Sequence, residues 1–192
     1  MVVVVDNNND RLVLWRLVDG TVWKQLGSRG TQPGQFYDPS AVALTSTGAL
    51  VVTDLHRVQV LTVDGAVVCV FDPTAVVGVG QLGQYLNGVT VCADTDEILV
   101  TDSCSHRVVA LTWSPPSQVR LFFSPLMCYS LGLFYLGLCW VQGVAGQLEG
   151  ARAWGSQGAA LGQLNCPFGV VAMSTGGVWV ADYFNYRLCL LH

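Results

Sequence analysis

The chain has 192 residues, 52% of them hydrophobic and only 11% charged, long enough for one domain with a substantial core. Nine basic residues against thirteen acidic ones give a net charge of −4, so the basic footprint of a nucleic-acid binder is missing and nucleic acid is not an expected partner. Val and Gly recur throughout, which favours buried strands and tight turns over helices, and an all-β chain is expected.

At the amino terminus "MVVVV" meets Asp6 before an apolar region of leader length has formed, and no basic residue precedes it. A strand is expected there rather than a secretory signal. The segment "VVVVDNNNDRLVLW" is the second half of a first unit. A Gly-Pro-Gln phrase follows, "GSRGTQPGQFYDPS" from Gly27 to Ser40, and then a second unit, "SAVALTSTGALVVTDLHRVQVL". The third unit, "GVTVCADTDEILVTDSCSHRVVAL", has the same form: an apolar run, a small-residue turn, a second apolar run ending in Asp, a polar turn ending in Arg, and a third apolar run. The phrase returns as "GSQGAALGQLNCPF", Gly155 to Phe168, ahead of a fourth unit, "FGVVAMSTGGVWVADYFNYRLCLL". A shift of 128 lays Lys24–Asp54 on Arg152–Asp182 without a gap, with 12 identities in 31 positions, where composition alone gives roughly two or three. The phrase is therefore a recurring linker that leads from one unit's outer strand to the next unit's inner strand, and its glycines supply positive φ.

The series Asp6, Asp54, Asp102, Asp182 is spaced by 48, 48 and 80 residues, so the last interval holds about 32 extra. β-Prone runs of four to six residues between Gly, Asp, Asn and Ser turns are antiparallel strands joined by hairpins, and three or four of them per repeat in the forties mark a propeller blade. The strands "SAVAL", "ALVVTD", "ILVTD" and "VWVAD" are expected to be buried.

At "GQFYDP" and "VADYFNYRL" the chain resembles the NHL-repeat family, and the resemblance covers nearly everything outside the insertion. It implies a β-propeller of about four NHL-type blades, partly incomplete, open or truncated. Blades one to three fall in 1–112, the first without its inner strand. An apolar insertion occupies 113–150, and a last blade lacking its outer strand occupies 151–192. The units depart from the family pattern: the second has "DLHR" where the fourth has "DYFNYR", and the third has Ser105 in the Asn position and Asn87 where Pro would stand.

An Asp at a strand end can accept N–H bonds from the turn that follows, and an Arg nearby can pair with it. A catalytic residue need not recur in every unit, so Asp6, Asp54, Asp102 and Asp182, with Arg11, Arg57, Arg107 and Arg187, are assigned to architecture. The resemblance brings in lyase-type relatives that hold metal with histidines and acids near the axis. Here His56 and His106 fall in turns and His192 is the final residue, so no metal, cofactor or catalytic residue is expected and the reading leans away from an enzyme. Seven cysteines form no CxxC pair and their count is odd, which favours free thiols and an intracellular setting.

Leu121–Val141 is an uncharged run of 21 residues, long enough to span a bilayer as a helix. A membrane-associated segment, a laterally packed insertion and read-through of non-coding sequence all stay open. The expected function is a scaffold that binds a protein partner; a propeller-type hydrolase or lyase and a membrane-associated propeller are the alternatives. Candidate partner-binding loops occupy the same turn in successive units: Leu55, His56 and Arg57; Ser103, Ser105 and His106; Tyr183, Phe184 and Tyr186.

Overall fold

A computed structural model describes residues 1–71, 81–114, 147–174 and 176–191. Its strands form four antiparallel sheets in chain order, each an up-and-down meander. Blade I is β1 (Val2–Asp6), β2 (Arg11–Trp15) and β3 (Val22–Leu26). Blade II is β4 (Pro39–Leu44), β5 (Leu50–Asp54), β6 (Arg57–Leu61) and β7 (Val67–Phe71). Blade III is β8 (Leu86–Val91), β9 (Ile98–Asp102), β10 (Arg107–Ser114) and β11 (Gln147–Trp154). Blade IV is β12 (Pro167–Ala172), β13 (Val178–Asp182) and β14 (Arg187–Leu191). The inner strands β4, β8 and β12 are neighbours, as in a propeller.

The core lies between blades rather than within them, because side chains alternate across each sheet and both faces of a blade meet another blade. Leu12 and Leu14 of blade I pack with Leu50, Val52 and Leu61 of blade II. Val51, Val58 and Val60 on the other face of blade II pack with Ile98, Val100 and Val109 of blade III. Leu99, Val108 and Ala110 of blade III meet Val180 of blade IV. The strands β5 and β9 are accordingly buried along their whole length. The strands β4 and β13 are only partly buried, contrary to expectation. In blade IV the reason is plain: among the described residues its far face meets no further blade, and Leu188 and Leu190 are exposed there, as Val2 and Val4 are on blade I. The arc is open.

Inner strands are stitched across the joints by a hydroxyl. Thr53 Oγ1 accepts the Ala41 N–H (3.0 Å) and donates to Asn87 O (3.3 Å); Thr101 Oγ1 accepts the Gly88 N–H (2.7 Å) and donates to Phe168 O (2.9 Å). At Gly88 the chain needs a residue without Cβ, since one added there would lie 2.6 Å from the Phe168 carbonyl oxygen and 3.0 Å from the Val170 nitrogen.

Two sequence boundaries move. The insertion assigned to 113–150 begins and ends in strand, because β10 runs on to Ser114 and pairs with β11 as far as Ser114↔Gln147. Trp113 is 7% exposed, lies edge-on to Phe71 at 6.5 Å and donates its indole N–H to Asp96 O at 3.0 Å. The extra residues thus fall within the outer hairpin of blade III, not between two blades. The Pro position of blade III is Leu86, which pairs with Asp102 as Pro39 pairs with Asp54, not Asn87. The turn joining β8 to β9 is one residue longer than its counterparts and displaces the register. Leu121–Val141 and His192 lie outside the described residues. Among the described residues no helix is long and apolar enough to cross a membrane.

Candidate protein-binding face

Each inner strand starts, and each β5–β6 type of turn lies, at the same end of its blade, so linkers and Asp–Arg turns share one rim. The linker ahead of blade II folds on itself: the Gly30 N–H donates to Phe36 O and the Phe36 N–H to Ser28 O, both at 2.9 Å. The linker ahead of blade IV repeats this with Gly158, Leu164 and Ser156. Phe36 and Leu164 are buried at the joints they precede. Leu82 is buried in the corresponding place at the joint of blades II and III.

The repeat Asp captures the linker that precedes its blade. Asp54 accepts the Tyr37 N–H at 2.6 Å, Arg57 Nε at 2.7 Å and Gln59 Nε2 at 3.0 Å. Asp182 accepts the Asn165 N–H at 2.6 Å, with Asn185 and Arg187 each at 2.8 Å. Asp102 accepts the Gly83 N–H at 3.0 Å and Arg107 Nε at 2.9 Å. The main backbone donor is therefore a linker residue upstream rather than the turn that follows, although Ser105 N–H does reach Asp102 at 3.3 Å. The Arg closes the loop from the other side: Arg57 donates to Gln35 O and Thr31 O, Arg187 to Gln163 O and Ala159 O, and Arg107 to Gln81 O. Among the described residues Asp6 bonds Asn9 and Arg11 and no linker N–H.

Between blades the turns interlock. Asn7 donates to Pro39 O (2.9 Å) and Asp10 accepts the Asp38 N–H (2.9 Å). At the joint of blades III and IV the same positions are Ser103, which donates to Pro167 O, and His106, whose Nδ1 accepts the Cys166 N–H at 3.0 Å. Ser103 is buried and so has no place on a partner-binding surface, contrary to its sequence assignment. Arg57, Ser105 and His106 are half-buried and committed to this framework.

Burial pushes the Asp182 carboxyl up, but the Asn165 N–H, the Asn185 amide and Arg187 together outweigh it and hold its pKa below the usual carboxylate value. A depressed folded pKa contributes stability that is complete above the unfolded value of about 3.9 and is lost as pH falls through the folded one. Asp182→Asn is expected to be less stable than the parent at neutral pH. The gap should close as pH drops below about 4, read as urea midpoints against pH.

Of the remaining candidates, Leu55 and His56 are also half-buried, while Tyr183, Phe184 and Tyr186 are exposed. Leu55, held at φ 41°, and His56 line an open groove of about 560 Å³ with Tyr37, Asp38, Gln84 and Tyr85. On blade IV the Phe168, Tyr183 and Phe184 rings meet in a tilted row, 5.7 and 5.1 Å between centroids, and Tyr186 in the same turn is 93% exposed. Sequence reasoning missed Tyr37 and Tyr85. Their signal was aromatic residues placed just before inner strands, at the same rim as the turns. Among the described residues no group of three His, Cys, Asp or Glu could hold a metal ion.

Residues 84–111 match the model of the NHL repeat. No curated protein matches the chain in sequence. Solved structures similar to it include virginiamycin B lyase from Staphylococcus aureus, at 12% identity and TM-score 0.55 over 98% of this chain and 50% of that one. A streptogramin B lyase is similar at 13% identity and TM-score 0.55 over 96% and 48%, and U3-55K at 12% and 0.51 over 96% and 46%. The chain spans about half the length of these structures. At such identities the likeness concerns fold alone.

Proposed function

Because the chain is an NHL-repeat β-propeller whose rim carries exposed rings beside an open groove, we propose that it is a non-catalytic scaffold that binds a protein partner there. The contact residues are Tyr37, Leu55, His56 and Tyr85, flanked by Tyr183, Phe184 and Tyr186. The observation that carries this is the groove itself. Two tyrosines and a histidine line it, and the Asp–Arg framework beneath fixes the backbone on which they stand. Rings presented on a rigid scaffold bury large areas at small entropic cost and are the residue types that anchor protein interfaces.

A photo-reactive phenylalanine analogue in place of His56 will capture the partner. The purified partner is then titrated with the parent and with the double variant Tyr37→Ala/Tyr85→Ala, after circular dichroism has established that the variant folds. Binding at least about 10-fold weaker is expected. Unchanged affinity would remove the groove from consideration, and turnover of a substrate by the purified parent would overturn the non-catalytic reading.

A further inference from the structure

The three internal joints follow one rule. Each blade offers a leading face to the next blade, built from two cross-strand pairs: Val3↔Leu14 and Val5↔Leu12 in blade I, Val51↔Val60 and Thr53↔Val58 in blade II, Leu99↔Ala110 and Thr101↔Val108 in blade III. Each following blade meets it with a trailing face from the alternate positions, such as Leu50↔Leu61 with Val52↔Gln59 in blade II. Leading and trailing faces are buried against each other at all three joints.

Blade IV has the leading face too, as Trp179↔Leu190 and Ala181↔Leu188. There Trp179 is 36%, Leu190 40% and Leu188 69% exposed. Blade I has the trailing face, as Val2↔Trp15 and Val4↔Val13, with Val2 40%, Val4 43% and Trp15 37% exposed. Neither face carries a charge at these eight positions. The two faces carry the residue pattern of the two halves of an internal joint, although blade I brings no inner strand such as β4, β8 and β12 bring to the other three, and Val13 on its face is already buried. The hydroxyl stitch is absent from Ala181, but Val5 stands at that position in blade I, which docks on blade II without it.

We propose that two copies of this chain join head to tail, the leading face of blade IV in each seating on the trailing face of blade I in the other. The occupant is a second copy because the same chain supplies both halves, each with the cross-strand residue pattern that its internal joints bury. Two such contacts related by a two-fold axis close on themselves and leave no apolar end. Four blades from each copy make eight, within the range of known propellers.

The test uses light scattering after size exclusion at about 10 µM, a concentration at which mass action favours a stable dimer. The parent is expected at twice its chain mass of 20.6 kDa. Leu188→Glu blocks one face and Val4→Glu the other; each places a charge in a desolvated joint and is expected to weaken association at least about 100-fold and run as a monomer. Mixed in equal amounts, the two variants should recover a dimer, because one unaltered leading face then meets one unaltered trailing face. The milder pair Leu190→Thr and Val2→Thr takes their place if circular dichroism shows either glutamate variant unfolded. A monomeric parent, a dimer that survives Val4→Glu alone, a mixture that stays monomeric, or a ladder of higher species would each overturn the closed head-to-tail pair. No result depends on the rim groove, so this proposal and the partner-binding reading fail independently.

Discussion

Asp54→Ala is expected to cost about 3–5 kcal/mol, the range for removing one partner of a buried ion pair. Asp54 is 1% exposed and holds three donors at once: the Tyr37 N–H, Arg57 and Gln59. Truncation leaves the guanidinium of Arg57 with linker carbonyls but no counter-charge. It also releases the N–H that fixes the linker where the chain enters β4. Asp54→Asn retains an acceptor for Tyr37 and should fall between parent and alanine. Asp6→Ala serves as the internal control. Asp6 ends the same strand position but bonds no linker N–H among the described residues and is partly exposed, so its loss should be much smaller. Urea midpoints of the three variants decide the matter; equal losses for Asp54→Ala and Asp6→Ala would show that linker capture adds nothing.

Phe36→Ala is expected to cost about 3–5 kcal/mol. The ring is fully buried where the linker crosses from blade I to blade II, among Leu12, Leu14, Leu26 and Leu61. A cavity there lies between two sheets whose registers are fixed by their own hydrogen bonds, so neither collapses to fill it. Phe36→Leu should cost less than about 1.5 kcal/mol, because Leu82 and Leu164 fill the same position in the later linkers. Thermal or urea unfolding separates the two outcomes. A similar loss for both would mean that the site reads ring shape rather than apolar volume.

Architecture was legible in the sequence where it recurs. The Asp series, the two Gly-Pro-Gln linkers and the strand alternation are periodic, and periodicity survives without coordinates. What was not legible lies where one unit compensates for its own departure from the pattern. Blade II lacks the Asn that bonds the repeat Asp in blades I and IV, and Gln59 supplies the amide from the adjacent strand. Gln59 also accepts the Gly34 N–H at 3.0 Å and donates to Gln35 O at 2.7 Å. A lone Gln in "RVQVL" was the only mark of this in the sequence. Ser103 was misplaced for a related reason: its position is set by the neighbouring blade, and a turn sequence says nothing of what docks on it. Trp113 was assigned to the insertion because composition changes gradually there, whereas the β10–β11 ladder still pairs Trp113 with Leu148 and Ser114 with Gln147. The rim groove was half visible, since Leu55 and His56 belong to a repeated turn while Tyr37 and Tyr85 belong to linkers far away in sequence.

The Asp–Arg clasp ties each linker to its own blade, whereas one blade is joined to the next by apolar faces together with a few hydroxyl and turn hydrogen bonds. This divides the molecule into cooperative units that open one at a time, each with its own exchange behaviour. Amide protons of β5 and β9, in blades covered on both sides, are released to solvent only after an outer neighbour has come away. Those of β14 escape through a lesser event, the peeling of blade IV, which leaves three blades standing and exposes Leu99, Val108 and Ala110 as a fresh end. The end so exposed is again a leading face, so the arc that loses a blade keeps the same kind of terminus it had before.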